Sequence, residues 1–475
     1  MSSAQTRRRP DEHQVIVCTL DRSTPSVDSG RNPRRVVVVG CGHVGAVTAA
    51  CLAHLGYQVA GLDISEELVG SLNDAKPPFL ESGLEALLAT NLSNGRLGFT
   101  LDPSVIKSAE YVIICVDTPR SGGSADLKRL HGALETIAMG LKGQRHLPTV
   151  VLKSTTPVGT AEGVDFRLRS LLDADIELVL NPEFLRQGSA VADFLQPDRI
   201  VIGSNTQAAG DKAAALYCGI DAPVVRTDWR TAEMIKHAAN AFLATRVSFI
   251  NEIASLSAAF GTDIDAIVAG IGVDPRIGSS FLQPGIGFGG SCLPRDLVAL
   301  ATSGLEQNVS TPLLSAVREV NDAQINRARD LLETELRGLK GRRVAAWGAT
   351  FKQGSEDTRE SPAIRVVQVL LEAGATVVVY DPALRETSLL PPGAERGSSA
   401  LDCCDGADAV VVLTDWPEFR EIDLREVARR MNGRLLFDGR NALDPRFVEA
   451  AGLTYRGVGR GLSRQVVGRT GDPHD

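Results

Sequence analysis

The 475-residue chain is 43% hydrophobic and 23% charged, with 46 glycines, 23 prolines and a formal net charge of -8. That apolar content excludes a disordered chain, and the length provides for about two to four domains, each able to bury a core of its own. No apolar run reaches the roughly 18 residues of a membrane span, and Arg7, Arg8, Arg9 and Pro10 lead into Asp11 and Glu12 rather than into an apolar leader segment. The cysteines form no C-x-x-C, so free thiols in a reducing cytoplasm are expected, without disulfides and without a metal. With 58 acidic against 50 basic residues and no basic stripe, neither nucleic acid nor a membrane is expected as a partner.

Residues 1–33 are polar apart from Val15-Ile16-Val17 and read as a flexible N-terminal extension. From residue 34 the pattern is apolar run, turn, helix, repeated: Val36–Val39, Val44–Leu55 closed by Gly56, Val59–Leu62, Tyr111–Val116, Val150–Leu152, Leu178–Leu180 and Ile200–Ile202. Short, wholly apolar runs alternating with helical stretches indicate an α/β domain, a parallel sheet covered on both faces, over residues 34–227. Strand signals then stop, and residues 228–325 read as an all-helical region containing one long helix over Thr231–Phe260, with Ile235, Ala238, Phe242, Phe249, Ile253 and Leu256 near helical spacing. The first pattern returns over residues 326–462: strands at Arg343–Trp347, Thr376–Tyr380, Ala409–Leu413 and Leu435–Phe437, and a helix over Ala363–Glu372 preceded by Ser361 as N-cap and Pro362. The fold class expected is therefore α/β, two Rossmann-like parallel-sheet domains joined by a central all-helical region, with residues 463–475 as a tail.

Gly40-Cys41-Gly42-His43-Val44-Gly45 follows a strand and opens a helix, the context in which a Gly-x-Gly-x-x-Gly pattern carries information. Gly40 permits the turn, Gly42 lets the backbone approach a pyrophosphate, and Gly45 lets helix pack on strand, with the phosphates at the helix N-terminus alongside His43 and Val44. Asp63, 23 positions beyond Gly40, ends the next strand, where a carboxylate accepts from ribose hydroxyls and repels a 2'-phosphate. NAD is therefore expected as the cofactor.

Gly289-Gly290-Ser291-Cys292-Leu293-Pro294-Arg295-Asp296 stands apart from the other cysteine contexts. Most free cysteines are small buried hydrophobes. Cys292 instead follows a glycine run read as flexible and able to lie against a substrate. If it begins a helix, the helix dipole and Arg295 favour the thiolate. On residue chemistry alone, a nucleophile and a structural cysteine both stay open.

With these motifs the chain resembles the UDP-glucose/GDP-mannose dehydrogenases from about Arg35 to Arg460. The resemblance rests on Gly40–Gly45, Val116-Asp117-Thr118-Pro119, Lys153-Ser154-Thr155-Thr156-Pro157, Asn181-Pro182-Glu183-Phe184-Leu185-Arg186, Ala232-Glu233-Met234-Ile235-Lys236, Gly289–Cys292, and Phe351-Lys352 with Asp357-Thr358-Arg359. Ser248-Phe249-Ile250-Asn251-Glu252, Trp416–Arg420 and Phe437–Asn441 look most like the members that act on UDP-glucose.

The resemblance implies a four-electron oxidation of a primary alcohol, UDP-glucose to UDP-glucuronate with two NAD, through a thiohemiacetal and a thioester on Cys292. It also implies that Asp296 helps activate the hydrolytic water, that Thr155 and Glu183 position it and handle its proton, and that Lys236 and Asn240, one helical turn apart, stabilise the reacting oxygen. Thr118, Thr155 and Arg359 would join the glycine loop around NAD. Glu183, Phe184, Leu185, Arg186, Lys236, Asn240, Gly289, Lys352 and Arg440 would contact the substrate, and Arg276 would reach it from a neighbouring subunit, making a homodimer or larger homo-oligomer. His43 stands where the family commonly has tyrosine, Arg295 where it has lysine, and Gln187 where it has an acid. Two alternatives remain open: the same chemistry on GDP-mannose or a UDP-N-acetylhexosamine, and a non-catalytic nucleotide-sugar-binding regulator.

Overall fold

The computed structural model describes residues 16–19, 34–121 and 124–460, which divide into two compact units. The first comprises the residues up to Ala239 together with Thr302–Asn308, and the second comprises Asn240–Ala301 and the residues from Val309 onward.

The first unit is built on a nine-stranded sheet. Its strands run in the order Ile16–Thr19, Pro223–Thr227, Ile200–Ser204, Leu178–Leu180, Thr149–Leu152, Tyr111–Ile114, Arg35–Val39, Gln58–Leu62 and Leu97–Thr100. The inner strands Arg35–Val39, Tyr111–Ile114 and Leu178–Leu180 are apolar and buried but for Arg35, because both faces are covered. Val36 and Val38 join a cluster with the His43–His54 helix, while Val37 and Val39 join another with the Lys128–Leu141 and Thr160–Leu172 helices. From Leu97–Thr100 across to Leu178–Leu180 every pairing is parallel.

The sheet departs from the sequence reading, which named neither Leu97–Thr100 nor Pro223–Thr227 as strands. Leu178–Leu180 and Ile200–Ser204 pair antiparallel, so the sheet is mixed at that side. Ile16–Thr19 adds a further antiparallel strand on Pro223–Thr227, which corrects the expectation of an unstructured extension at those four residues; the rest of residues 1–33 and the expected tail at 463–475 lie outside the described residues.

The second unit carries a wholly parallel six-stranded sheet in the order Glu395–Arg396, Thr376–Tyr380, Arg343–Trp347, Ala409–Val412, Leu435–Asp438 and Thr454–Gly457. Here too alternate residues serve opposite faces: Val344 and Ala346 pack with the Pro362–Glu372 helix, Ala345 and Trp347 with Cys403, Cys404 and Phe419. The expected N-cap Ser361 precedes that helix, but its hydroxyl donates to the Ala349 carbonyl (2.7 Å) and makes no cap. The helical region centres on Trp229–Phe260, whose residues from Asn240 onward belong to the second unit, and on Pro312–Leu336, which Arg337 (φ +56°) ends in the left-handed region.

Candidate active site

The three glycines of the first loop occupy three different environments. Gly40 has φ +88°, a turn that L side chains rarely adopt. A Cβ on Gly45 would lie 1.8 Å from the Gly40 carbonyl oxygen, so helix and strand touch there. A Cβ on Gly42 would meet nothing within 4 Å, which leaves backbone open to a ligand at the N-terminus of the His43–His54 helix.

Asp63 Oδ2 accepts from the Cys41 N–H (2.6 Å) and Oδ1 from the Ser65 N–H (3.0 Å), while the residue keeps partial exposure. A fixed, partly exposed carboxylate beside an uncovered glycine loop fits an adenosine ribose and pyrophosphate. His43 Nε2 lies 2.8 Å from Glu81 Oε2, and the buried Glu81 also accepts from the Gly188 and Ala190 N–H groups (both 2.8 Å).

The next three motifs of this unit are stitched together at the ends of neighbouring strands. Lys153, 4% exposed, donates from Nζ to Asn181 Oδ1 (3.0 Å) and so joins the first residues of two of them. Thr118 donates to the Thr155 carbonyl (2.6 Å), and Ser154 to that of Val116 (2.7 Å). Lys236 Nζ donates to Glu183 Oε1 (3.1 Å), both side chains being buried. The Leu185 N–H donates to Glu183 Oε2 (2.7 Å). Burial pushes the Glu183 carboxyl up, but the Lys236 charge, the Leu185 amide and Lys153 outweigh it and hold the group below the ordinary glutamate range. Glu183 is thus held as a carboxylate paired with Lys236. Phe184 is flanked by cations, with the Arg199 guanidinium 3.8 Å and Lys236 Nζ 5.1 Å from its ring centroid.

In the second unit Cys292 immediately precedes the Leu293–Glu306 helix, whose first turn is closed by the Asp296 N–H donating to the Cys292 carbonyl (2.9 Å). Asp296 is 0% exposed and accepts from Asn240 Nδ2 (2.5 Å) and Arg295 Nε (2.9 Å). Arg295, expected from the sequence to favour the thiolate, engages the Asp296 carboxylate. Cys292 is partly exposed, with Sγ 3.7 Å from the Ser291 hydroxyl. By contrast, burial pushes the thiols of Cys51, Cys115, Cys403 and Cys404 up to about 12, which keeps them protonated and inert.

The glycine run before Cys292 is not the flexible segment its composition suggests. Residues 285–290 are buried, and Cβ atoms on Gly289 and Gly290 would lie 2.2 Å from the Glu360 carbonyl oxygen and 2.8 Å from the Phe351 ring. Those glycines are required by close packing. Arg440 holds the same loop: Nη1 donates to Gly287 (3.0 Å), Nε to Leu413 (2.8 Å) and Nη2 to Phe351 (3.3 Å), all carbonyl oxygens. Its donors thus engage main chain. Lys352 follows, its Nζ 5.8 Å from the Phe351 ring centroid. Arg359 pairs with Asp357 through Nε (2.9 Å) and Nη2 (2.7 Å), Arg276 pairs likewise with Asp274 at an exposed position, and Arg186 is bound to Asp193 in the first unit.

The structure therefore brings together Glu183, Phe184, Leu185 and Lys236 beside the linked Thr118 and Thr155, and separately Asn240, Cys292 and Asp296. Glu81, Lys153 and Asn181 were not singled out from the sequence; the last two open motifs that were, whereas Glu81 gave no signal of its own.

Three family models match consecutive stretches of the chain: the NAD binding domain of the UDP-glucose/GDP-mannose dehydrogenase family over residues 34–221, its central domain over 230–323 and its UDP binding domain over 345–445. The chain is 39% identical to the UDP-glucose 6-dehydrogenase TuaD of Bacillus subtilis, over 90% of this chain and 93% of that protein. Among solved structures, a UDP-glucose dehydrogenase from Pyrobaculum islandicum superposes with a TM-score of 0.84 at 35% identity, covering 91% of this chain and 99% of the other. A UDP-D-ManNAc dehydrogenase from Pyrococcus horikoshii gives 0.81 at 30%, covering 90% and 99%. An open glycine loop with its ribose acid, a Lys–Glu pair at the strand ends and a cysteine heading a helix over a buried aspartate are met by matching models over most of the chain, which belongs to the UDP-glucose/GDP-mannose dehydrogenase family.

Proposed function

We propose that this chain is an NAD-dependent UDP-glucose 6-dehydrogenase, oxidising the C6 alcohol of UDP-glucose to the carboxylate of UDP-glucuronate with transfer of two hydrides. The observation that carries the reading is the one helical turn that holds both Cys292, partly exposed, and the buried Asp296. A dehydrogenase stopping at the aldehyde needs no nucleophile; one reaching the acid does.

Gly40, Gly42, Gly45 and Asp63 would hold NAD, which supplies the hydride acceptor. In the first oxidation the alcohol oxygen gives its proton to water as hydride leaves C6, and the cationic Lys236, with Asn240, steadies the charge on that oxygen. The Cys292 thiolate then adds to the aldehyde carbon. Departure of a second hydride converts the thiohemiacetal to a thioester. Water, oriented by Thr155 and relieved of its proton by Asp296 or Glu183, adds to the thioester carbon; the C–S bond breaks, returning the thiolate and releasing the carboxylate. One water is consumed, and two NADH form per sugar.

The test is turnover with UDP-glucose, GDP-mannose and UDP-N-acetylhexosamines in parallel. UDP-glucose is expected to give the highest kcat/KM, and activity confined to another sugar nucleotide would overturn the substrate assignment.

The functional unit is a homodimer in the cytoplasm. Phe242, Phe249, Leu256 and Phe260 form an exposed apolar row on the Trp229–Phe260 helix, which supports this reading, as does the exposure of Arg276. Sedimentation is expected to find a dimer, and a fully active monomer would remove the role given to Arg276.

A further inference from the structure

Glu233 takes no part in the chemistry above, yet it is a carboxylate only 2% exposed and four residues before His237 on the Trp229–Phe260 helix. Its Oε1 accepts from the Thr156 hydroxyl (3.1 Å) and the Ala161 N–H (3.0 Å), and its Oε2 from the Gly159 N–H (2.6 Å). Gly159 has φ +95° and begins the Thr160–Leu172 helix without a side-chain cap of its own, so Glu233 caps that helix from another element.

The contact does more than cap. One turn further on, His237 Nε2 lies 2.8 Å from the Thr156 carbonyl oxygen, so residues 233 and 237 hold the side chain and the backbone of Thr156 together. Thr156 follows Thr155 directly, and Thr155 is the partly exposed residue between buried Ser154 and buried Thr156. Lys236 lies between the two holding residues in sequence and bonds Glu183.

We propose that Glu233 is a positioning residue, locking the loop that presents Thr155 to the helix that presents Lys236, so that the group orienting water and the group steadying the reacting oxygen keep one fixed geometry. This rests on the roles given to Thr155 and Lys236 above.

Burial pushes the Glu233 carboxyl up, nearby Glu162 adds to the rise, and the three donors pull it back only to about 7. The charged form accepts from all three; on protonation one oxygen becomes a donor facing donors. The lock therefore holds above about pH 7 and loosens as pH falls through that value. The other titratable groups facing it are Glu162 on the Thr160–Leu172 helix, which pairs with Arg230, and His237.

The test compares Glu233→Gln and Thr156→Val with the unmutated full-length enzyme, using whichever nucleotide sugar that enzyme oxidises; failure with UDP-glucose alone then overturns the substrate assignment and not the lock. Glu233→Gln is expected to lower kcat about 10- to 100-fold while KM moves less than about threefold, the signature of misplaced reacting groups in a site that still binds. It is also expected to abolish the fall in wild-type kcat centred near pH 7, because the amide does not titrate. Thr156→Val removes one donor and is expected to lower kcat about three- to tenfold. If Glu233→Gln does not fold, Thr156→Val decides alone: wild-type kcat in that variant overturns the proposal. A Glu233→Gln enzyme with lowered thermal stability but wild-type kcat and pH profile per folded molecule would make the residue a helix cap only, and would overturn it equally.

Discussion

The two parallel-sheet units begin alike and end differently. In each, the first strand runs into a glycine of positive φ, Gly40 at +88° and Gly348 at +109°. In each, an aspartate after the second strand accepts the N–H that follows that glycine: Asp63 from Cys41 at 2.6 Å, Asp381 from Ala349 at 2.8 Å. There the likeness stops. Asp381 Oδ2 also takes the Thr350 N–H (3.0 Å), the Thr350 hydroxyl (2.9 Å) and the Trp416 indole N–H (3.1 Å), and the residue is 3% exposed. Asp63 remains partly exposed, beside Gly42, where the second unit has Thr350.

One architecture thus carries an acid free to receive ribose hydroxyls and an equivalent acid saturated by its own protein. Fold alone does not make a dinucleotide site; what is left unsatisfied does.

The largest effect that sharpens this contrast separates cofactor binding from chemistry. Cys292→Ser is expected to lower turnover to the acid more than about a thousandfold while NAD affinity, measured by titration, stays within about twofold of wild type. Wild-type turnover in that variant would refute the covalent scheme.

Next comes the pair of acids. Asp63→Asn forfeits charge-assisted bonds and is expected to weaken NAD binding about 10- to 100-fold with little change in stability. Asp381→Asn is expected to do the reverse, leaving NAD affinity unchanged while lowering unfolding free energy by about 1–3 kcal/mol, because a buried network loses its charged acceptor. Equal losses of NAD affinity from both substitutions would erase the distinction.

The smallest effects separate the glycines. Gly45→Ala forces a Cβ against the Gly40 carbonyl and is expected to cost about 1–3 kcal/mol of stability. Gly42→Ala, with space for its methyl, is expected to leave the melting temperature unchanged and to reduce NAD affinity alone. Calorimetry with and without NAD distinguishes the two.

Much of this was legible in the sequence where burial is two-sided. Val36–Val39, Tyr111–Ile114 and Ala409–Val412 read as strands because every residue meets a core. The edge strands did not. Leu97–Thr100 alternates buried and half-buried positions, Thr454–Gly457 carries an exposed threonine and an arginine, and Glu395–Arg396 is exposed throughout. Their order comes from hydrogen bonding to a neighbouring strand, which composition does not record.

In the site, residue types at fixed spacing gave the glycine loop and Cys292, whereas the occupancy of Arg440 by three carbonyls and the reach of Glu81 to residues 188–190 depend on long-range packing. The glycine run at 285–290 misled for the same reason: small residues serve close packing as readily as motion, and only the surroundings tell which.

The most direct test of the central claim is the NADH formed per UDP-glucose consumed, with UDP-glucose limiting and NAD in excess. Two NADH per sugar, with carboxylate as the only sugar product, is the expected result. One NADH per sugar with accumulating aldehyde would contradict it.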